Sequence, residues 1–379
     1  MKLRLTKNLF LKSWALAECC TSTGTLQYVS CVLVTAGEEG TSLQATDIKT
    51  AVSVSAQGVD VIEPGAALLP VRRVSELFAK APSGEMTLEI KDGAAVLTAG
   101  KSRCRFSTYP AEDFPKLPKA EIGEPVFRMD SGELLRALEC GTLCASAKDE
   151  FPQYLSSLCL SLNGSGGIDF ASTDKRRVAV YGASAAVTGR LGGNGSVLLP
   201  LSGIVGLQKI LGASKADAEV SVSYDGTQAY FLSEGIEFSI RRVEASFPDY
   251  KRIIPESFLA VADFDRGELL DALARVDIVV KDYSRTALFS FGDPGGCVIS
   301  GRAPEFGEAR EEVGCSFSGE PMKCGYNASF LQSGIKACAG PSVRFSLSGH
   351  DGNMMISAQP DPFLYILAPV NAGNETEAE

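Results

Sequence analysis

His350 is the only histidine in this 379-residue chain, so no second imidazole exists for a His-based acid–base pair. The eleven cysteines are odd in number, irregularly spaced and form no CxxC pair. That pattern counts against a zinc site and a disulfide framework, and it predicts reduced, buried thiols and a cytoplasmic setting. Neither GxxxxGK[ST] nor GxGxxG stands between a strand and a helix, and GGNGS at 192–196 reads as a loop, so no phosphate cradle is expected. No stretch approaches the roughly 18 uninterrupted apolar residues of a membrane span, and no membrane partner is expected. In the opening MKLRLTKNLFLKSWALAECC, Lys12 interrupts the apolar run, which favours an amphipathic helix over an export signal. Basic charge is also short: 36 Lys and Arg face 46 Asp and Glu, a net charge of −10. Nucleic acid is therefore an unexpected partner unless the cations gather on one face.

What the chain has in abundance is self-similarity. LLPVRRVSELFAKAP (68–82), LLPLSGIVGLQKILG (198–212) and CGYNASFLQSGIKAC (324–338) each read as a short helix entered from a strand. They recur roughly every 125–130 residues, the signature of a repeated domain-sized unit. Each unit reads as helix, strands, helix, strands, the first helices being predicted over 6–20, 130–146 and 265–279. Asp130 and Asp265 are candidate N-caps, with Glu133 and Glu268 three residues on. DG at 92–93, DG at 225–226 and HDGN at 350–353 mark hairpin turns. The expected fold class is α+β: three similar domains, each with two helices on antiparallel sheets. Proline-bearing junctions place these domains at 1–121, 122–256 and 257–370, followed by an acidic tail at 371–379. Asp47 and Asp174 recur in equivalent TD strings, which assigns them to turns, since a unique active site would not recur.

A repeat array leaves strand edges at its ends. Lys101, Arg103 and Arg105 mark one candidate edge, and Glu305, Glu308, Glu311 and Glu312 the other. Opposite charge favours head-to-tail pairing, and two such contacts about a two-fold axis close a ring. The helices meanwhile carry Lys7, Lys12, Arg72, Arg73, Lys80, Arg136, Lys148, Lys209, Lys215, Arg266, Arg275 and Lys336. On one shared face these cations would hold phosphates without reading bases.

Five strings carry a specific resemblance: LQATDIKTAVSV (43–54), RFSTYPAEDFPKLP (105–118), FASTDKRRVAVY (170–181), SFPDYKRIIP (246–255) and YILAPV (365–370). In order and spacing the chain resembles the bacterial DNA polymerase III β subunit family, the β sliding clamps, over nearly its whole length. The resemblance implies a homodimeric ring of six domains around double-stranded DNA. It implies a processivity factor without a catalytic site or cofactor, whose partners are the polymerase catalytic subunit, the clamp loader and other clamp-motif proteins. It assigns a partner-peptide pocket to Leu155, Thr173, Lys175, Arg176, Arg177, Val178, Pro248, Arg252, Ile253, Asn327, Phe330, Ile366, Ala368, Pro369 and Val370. Arg177 and Arg252 form its expected polar rim, over an apolar floor. It sets Arg72, Arg73, Lys80, Arg136, Lys148, Gln153, Tyr154, Lys209 and Lys336 toward DNA. It sets Phe106 against Ile278 and Val279 in the dimer contact, flanked by Lys101, Arg103, Arg105, Glu305 and Glu308.

The chain departs from the family pattern in places. Ala368, Val370 and Asn371 replace the thioether and cationic positions of a Met-Pro-Met/Val-Arg string. Lys175–Arg176 stands where Gly and an aromatic or His are common. TSTGTLQY lacks the usual Arg, and Ser202 takes a usually basic position. Two further readings stand beside this one: a β-rich peptide-binding scaffold that does not bind DNA, and a cysteine-dependent enzyme.

Overall fold

The computed structural model describes residues 1–370 except 83, 121–123, 149, 165, 193–194, 256, 294–295 and the side chain of residue 293. The acidic tail, Asn371 and the junction positions 121, 122 and 256 lie outside the described residues.

The chain writes one element string three times. The first repeat runs β1 (Lys2–Thr6), α1 (Lys7–Glu18), β2 (Cys31–Gly37), β3 (Gly40–Thr46), β4 (Thr50–Ser55), β5 (Val59–Glu63), β6 (Gly65–Pro70), α2 (Val71–Lys80), β7 (Glu85–Lys91), β8 (Ala94–Ala99) and β9 (Ser102–Ser107). The second runs β10 (Phe127–Asp130), α3 (Ser131–Gly141), β11 (Ser157–Leu162), β12 (Ile168–Thr173), β13 (Arg177–Ala183), β14 (Ala186–Val187), β15 (Ser196–Pro200), α4 (Leu201–Ala213), β16 (Glu219–Tyr224), β17 (Gln228–Ser233) and β18 (Ile236–Arg241). The third runs β19 (Ala260–Asp265), α5 (Arg266–Val280), β20 (Thr286–Asp293), β21 (Gly296–Ala303), β22 (Gly307–Val313), β23 (Cys315–Gly319), β24 (Met322–Asn327), α6 (Ala328–Ala337), β25 (Ser342–Leu347), β26 (Met354–Ser357) and β27 (Phe363–Leu367).

Two expectations are corrected. Each repeat opens on a strand, not on its helix: in KLRLT, Leu3 and Leu5 are fully buried while Arg4 is exposed, the period-two pattern of a half-buried strand. And α3 stops at Gly141, short of Ser146. A Cβ there would lie 2.7 Å from Phe170 Cβ, so the helix end is pressed onto β12.

Contacts gather the chain into two compact units, Met1–Arg136 with Ala185–Val243, and Ala137–Ser184 with the residues from Glu244 on, so the second repeat is shared between them. In the first unit one sheet runs β5-β1-β7-β8-β9 and another β14-β10-β16-β17-β18-β4-β3-β2-β6. In the second, the strands run β11-β12-β13-β27-β26-β25-β19-β23 and β22-β21-β20-β24. Two joints between repeats share one register. β18 meets β4 with Ile236 opposite Val54 and Ile240 opposite Thr50. β27 meets β13 with Phe363 opposite Tyr181 and Leu367 opposite Arg177. Thr50 and Arg177 are equivalent positions, each accepting at its carbonyl the threonine hydroxyl of its TD string. The last strand of one repeat thus pairs with the fourth strand of the repeat before it. β9 and β22 are the matching strands that end their sheets.

The core sits between helices and sheets. In the first repeat Phe78 of α2 meets Phe10 and Trp14 of α1 edge-on, with centroids 5.2 and 5.1 Å apart. The first residue of each opening helix ties off the end of the second helix of its repeat. Lys7 Nζ donates to the carbonyls of Ala79 (2.9 Å) and Ala81. Arg266 donates to those of Ile335 and Lys336, both 3.1 Å away. These carbonyls have no partner within their own helix and carry its negative dipole end. Lys7 and Arg266 are therefore capping residues, and Arg275 is held by Glu311 at 2.7 Å; the three do not stand as free phosphate-binding cations.

Candidate functional site

The site is built on a turn. In STDKRRV, Asp174 Oδ1 accepts the amides of Arg176 and Arg177 at 3.0 and 3.1 Å, and Thr173 Oγ1 donates to the Arg177 carbonyl at 2.8 Å. This forces Lys175 to φ 74°, a left-handed conformation that costs a side chain with a Cβ. Asp47 and Thr46 make the same bonds in the first repeat, with Ile48 at φ 79°. The recurrence bears out the turn role read from the sequence.

Arg177 leaves this turn and is fully committed. Its Nε donates to Asp174 Oδ2 (2.8 Å), its Nη1 to the Tyr365 hydroxyl (3.2 Å), and its guanidinium lies 4.0 Å over the Phe330 ring. The Tyr365 hydroxyl in turn donates to the Phe330 carbonyl at 3.0 Å. Burial works against the Arg177 charge, but Tyr365, Cys144 and Asp174 outweigh it and push its pKa up. Burial also raises Tyr365 and Cys144, so both stay protonated. Arg177 is a half-buried brace joining β13 to the start of α6, where a polar rim was expected.

The third component is the segment SFPDYKRI. Tyr250, 7% exposed, packs with Ala171, Val178, Val180 and Ile366, and its hydroxyl donates to Asp169 at 2.8 Å. Burial and then the Asp169 charge raise the Tyr250 pKa, which keeps that proton in place. With Tyr250 anchored, Pro248 and Ile253 are held beside Val178 and Ile366. Phe247 bridges Tyr250 to Tyr154, each ring pair 6.1 Å apart.

The result is an open cleft of about 260 Å³ within the second unit, lined by Tyr154, Thr173, Lys175, Arg176, Arg177, Val178, Pro248, Ile253, Asn353, Ile366 and Ala368. Its floor is aliphatic, its wall aromatic, and three cations but no carboxylate line it. Such a surface has the chemistry to bury apolar side chains, with Thr173, Asn353 and the cations available to polar groups.

The structure brings most assigned pocket residues together. Of the others, Leu155 is buried, Asn327 caps α6 by accepting the Phe330 amide at 3.0 Å, and Phe330 lies under Arg177. Arg252 points to solvent, paired with Asp249 at 2.9 Å, and Pro369 and Val370 continue past the cleft without lining it. Tyr154, which the resemblance set toward DNA, lines the cleft, and Asn353 is an addition from the HDGN turn. Arg72, Arg73 and Lys80 on α2 and Lys209 on α4 are exposed, and Arg136 on α3 is half-buried, all in the first unit. Lys148, Gln153 and Lys336 are exposed in the second. On β9, Arg103 and Arg105 are exposed and Phe106 half-buried, with Lys101 exposed just before them. Ile278 is 54% exposed, Val279 is half-buried, and Glu305 and Glu308 are exposed at the entry to β22. All eleven cysteines are free thiols. Among the described residues no cluster could hold a metal ion, and no helix is long and apolar enough to cross a membrane.

Residues 1–118 match the family described as DNA polymerase III beta subunit, N-terminal domain, and 251–370 match its C-terminal domain. The beta sliding clamp of Synechococcus elongatus is 27% identical over 340 residues, covering 88% of this chain and 89% of its own. That of Pseudomonas aeruginosa is 26% identical, covering 91% and 93%. The crystal structure of the Pseudomonas aeruginosa DNA polymerase III subunit beta superposes with a TM-score of 0.89 at 25% identity, covering 98% of this chain and 100% of that one. A Pseudomonas aeruginosa sliding clamp bound to griselimycin superposes at 0.88 with 26% identity, covering 98% and 99%. These likenesses do not favour a scaffold unrelated to DNA.

Proposed function

The chain belongs to the family of the bacterial DNA polymerase III beta subunit, the β sliding clamp of DNA replication, and from that premise we propose that two copies close head to tail into a ring around duplex DNA. The ring has no catalytic site of its own. It acts by topology: a closed toroid cannot leave DNA sideways, so weak, sequence-independent phosphate contacts suffice. Arg72, Arg73, Lys80, Arg136, Lys148, Gln153, Lys209 and Lys336 supply those contacts in this reading. The three repeats serve as domains 1–121, 122–256 and 257–370. The cleft receives a short peptide from the polymerase catalytic subunit, the clamp loader and other replication or repair proteins in the cytoplasm. The griselimycin-bound relative supports a ligand-receptive clamp surface.

The observation that carries the ring is the pair of unsatisfied strands. β18 uses β4, and β27 uses β13, in one register; β9 and β22 end their sheets in the corresponding roles. Continuing that register onto a second copy sets Arg105 opposite its Glu308, Cys104 opposite its Ala309 and Phe106 opposite its Gly307. Arg103 falls opposite Arg310, whose charge is met by Glu312 at 3.4 Å. Backbone pairing supplies affinity, and the Arg–Glu pair adds roughly 0.2–1 kcal/mol.

The test is oligomeric state by sedimentation. Arg105→Glu weakens the dimer, and so does Glu308→Arg. The double variant restores it, because the charges meet again in reversed order. A monomer at all concentrations, or a double variant weaker than both singles, overturns the pairing.

A further inference from the structure

The cleft carries charge that the fold does not use. Lys175, Arg176 and Arg177 line it together, with no carboxylate among the lining residues. Arg177 is spent on Asp174, Tyr365 and Phe330. Lys175 and Arg176 are exposed, and neither has an ion-pair partner among the described residues. Asp174 cannot reach back to them, because one of its oxygens holds the turn amides and the other holds Arg177. The turn also fixes the backbone that bears both cations. Arg176 has its carbonyl engaged by the Ala368 amide at 2.9 Å, and Lys175 has its amide engaged by Thr173 Oγ1 at 3.1 Å. Two uncompensated cations are thus held at the lip of an aliphatic floor, on a chain whose net charge is −10. On a chain acidic in total, such a lip draws acidic segments to the cleft, so the field selects as well as attracts.

We propose that Lys175 and Arg176 are specificity-determining residues that select peptides bearing carboxylates beside their apolar anchors. This rests on the peptide-binding reading of the cleft and names the chemistry of its partner. Val178, Ile253, Pro248 and Ile366 take the leucine- or phenylalanine-like anchors, and the two cations take aspartate or glutamate side chains flanking them. Both pairs are solvent-exposed, so each contributes modestly and is screened by salt. Together they amount to about a fivefold preference at low ionic strength. Surface charge of this kind raises the association rate and sets partner choice more than it sets total affinity.

The test is fluorescence anisotropy with the full-length protein and two labelled synthetic peptides. One alternates leucine and phenylalanine with aspartate; the other replaces each aspartate by asparagine. The acidic peptide is expected to bind the native chain about fivefold more tightly at low salt, with the difference collapsing at high salt. K175Q/R176Q is expected to bind both peptides alike. Equal binding of the two peptides by the native chain overturns the proposal while leaving the cleft reading intact, as does a preference that survives in K175Q/R176Q. Failure of both peptides to bind overturns the cleft reading and the proposal with it. A third protein, ending at Val370, removes Glu375, Glu377 and Glu379. Discrimination that appears only in that shortened chain assigns the cations to the chain's own acidic tail and overturns the choice of a partner peptide.

Discussion

Tyr250→Phe removes one hydroxyl on which the cleft depends, bonded to Asp169 and also to the Ser161 side chain. The phenylalanine ring keeps its place among Val178, Val180 and Ile366, so no cavity opens and the hydroxyl alone is lost. That hydroxyl donates to Asp169 Oδ2 at 2.8 Å, and Asp169 is only 8% exposed. Asn163 serves the other carboxylate oxygen at 3.2 Å. Lys251 stands 3.9 Å from the abandoned one, but its side chain is 55% exposed, so it compensates little. A hydrogen bond to a charged partner is worth about 1.5–3 kcal/mol net. Released locally, that energy raises the opening equilibrium of segment 246–255 by roughly ten- to a hundredfold, since 1.4 kcal/mol is a factor of ten. Native-state amide exchange reads it at Arg252 and Ile254, whose amides donate to Asp249 and Lys251 carbonyls at 3.3 Å. Peptide affinity of the cleft falls severalfold in parallel, because Pro248 and Ile253 lose their anchor. Unchanged exchange at these amides, or equal acceleration throughout α5, would refute the reasoning.

The remaining predictions draw on other parts of the fold. Gly334→Ala places a Cβ 2.5 Å from the Tyr365 ring, so the ring that braces Arg177 must shift. A loss of about 1–3 kcal/mol in the second unit follows, visible as a lower melting temperature and weaker peptide binding; a native-like melt contradicts it. Arg266→Met keeps the aliphatic stem but drops both bonds to the end of α6. Amide exchange in the last turn of α6 should rise by several fold, on the order of 0.5–1.5 kcal/mol, with α2 unaffected. Burial pushes the thiols of Cys159 and Cys324 up to about 12 from 9.0. The folded chain therefore holds protons there that the unfolded chain releases above pH 9, so this contribution to stability is intact through neutrality and declines between pH 9 and about 12. Stability that stays flat across that alkaline window would refute the assignment.

Local chemistry was readable and long-range chemistry was not. Asp265 caps α5 by accepting the Glu268 amide at 2.9 Å, as the DRGE string predicts. Asp92 and Gly93, at φ 49° and 72°, form the two-residue turn that DG announces. The TD turns followed from their repetition alone. The opening strands were missed because a five-residue alternation is easily absorbed into an adjoining helical period, although Leu3 and Leu5 carried the signal. Lys7 and Arg266 could not be read from sequence. A cation at the start of a helix opposes its own dipole, and its use appears only when the end of a distant helix is brought to it. Tyr154 and Asn353 join the cleft through Phe247 and the Ile253 carbonyl, the latter 100 residues from Asn353. Arg177 had its partner three residues upstream, so its role as a brace was legible in TDKRR but outweighed by the expectation of a charged rim.

The measurement that bears most directly on the central claim is retention on DNA of defined topology. The protein is loaded onto a nicked circular plasmid with a matching loader, and the plasmid is then linearised. A ring closed through β9 and β22 stays on the circle and is lost from the linear ends, and Arg105→Glu shortens its residence on the circle. Equal retention on circular and linear DNA would contradict the account.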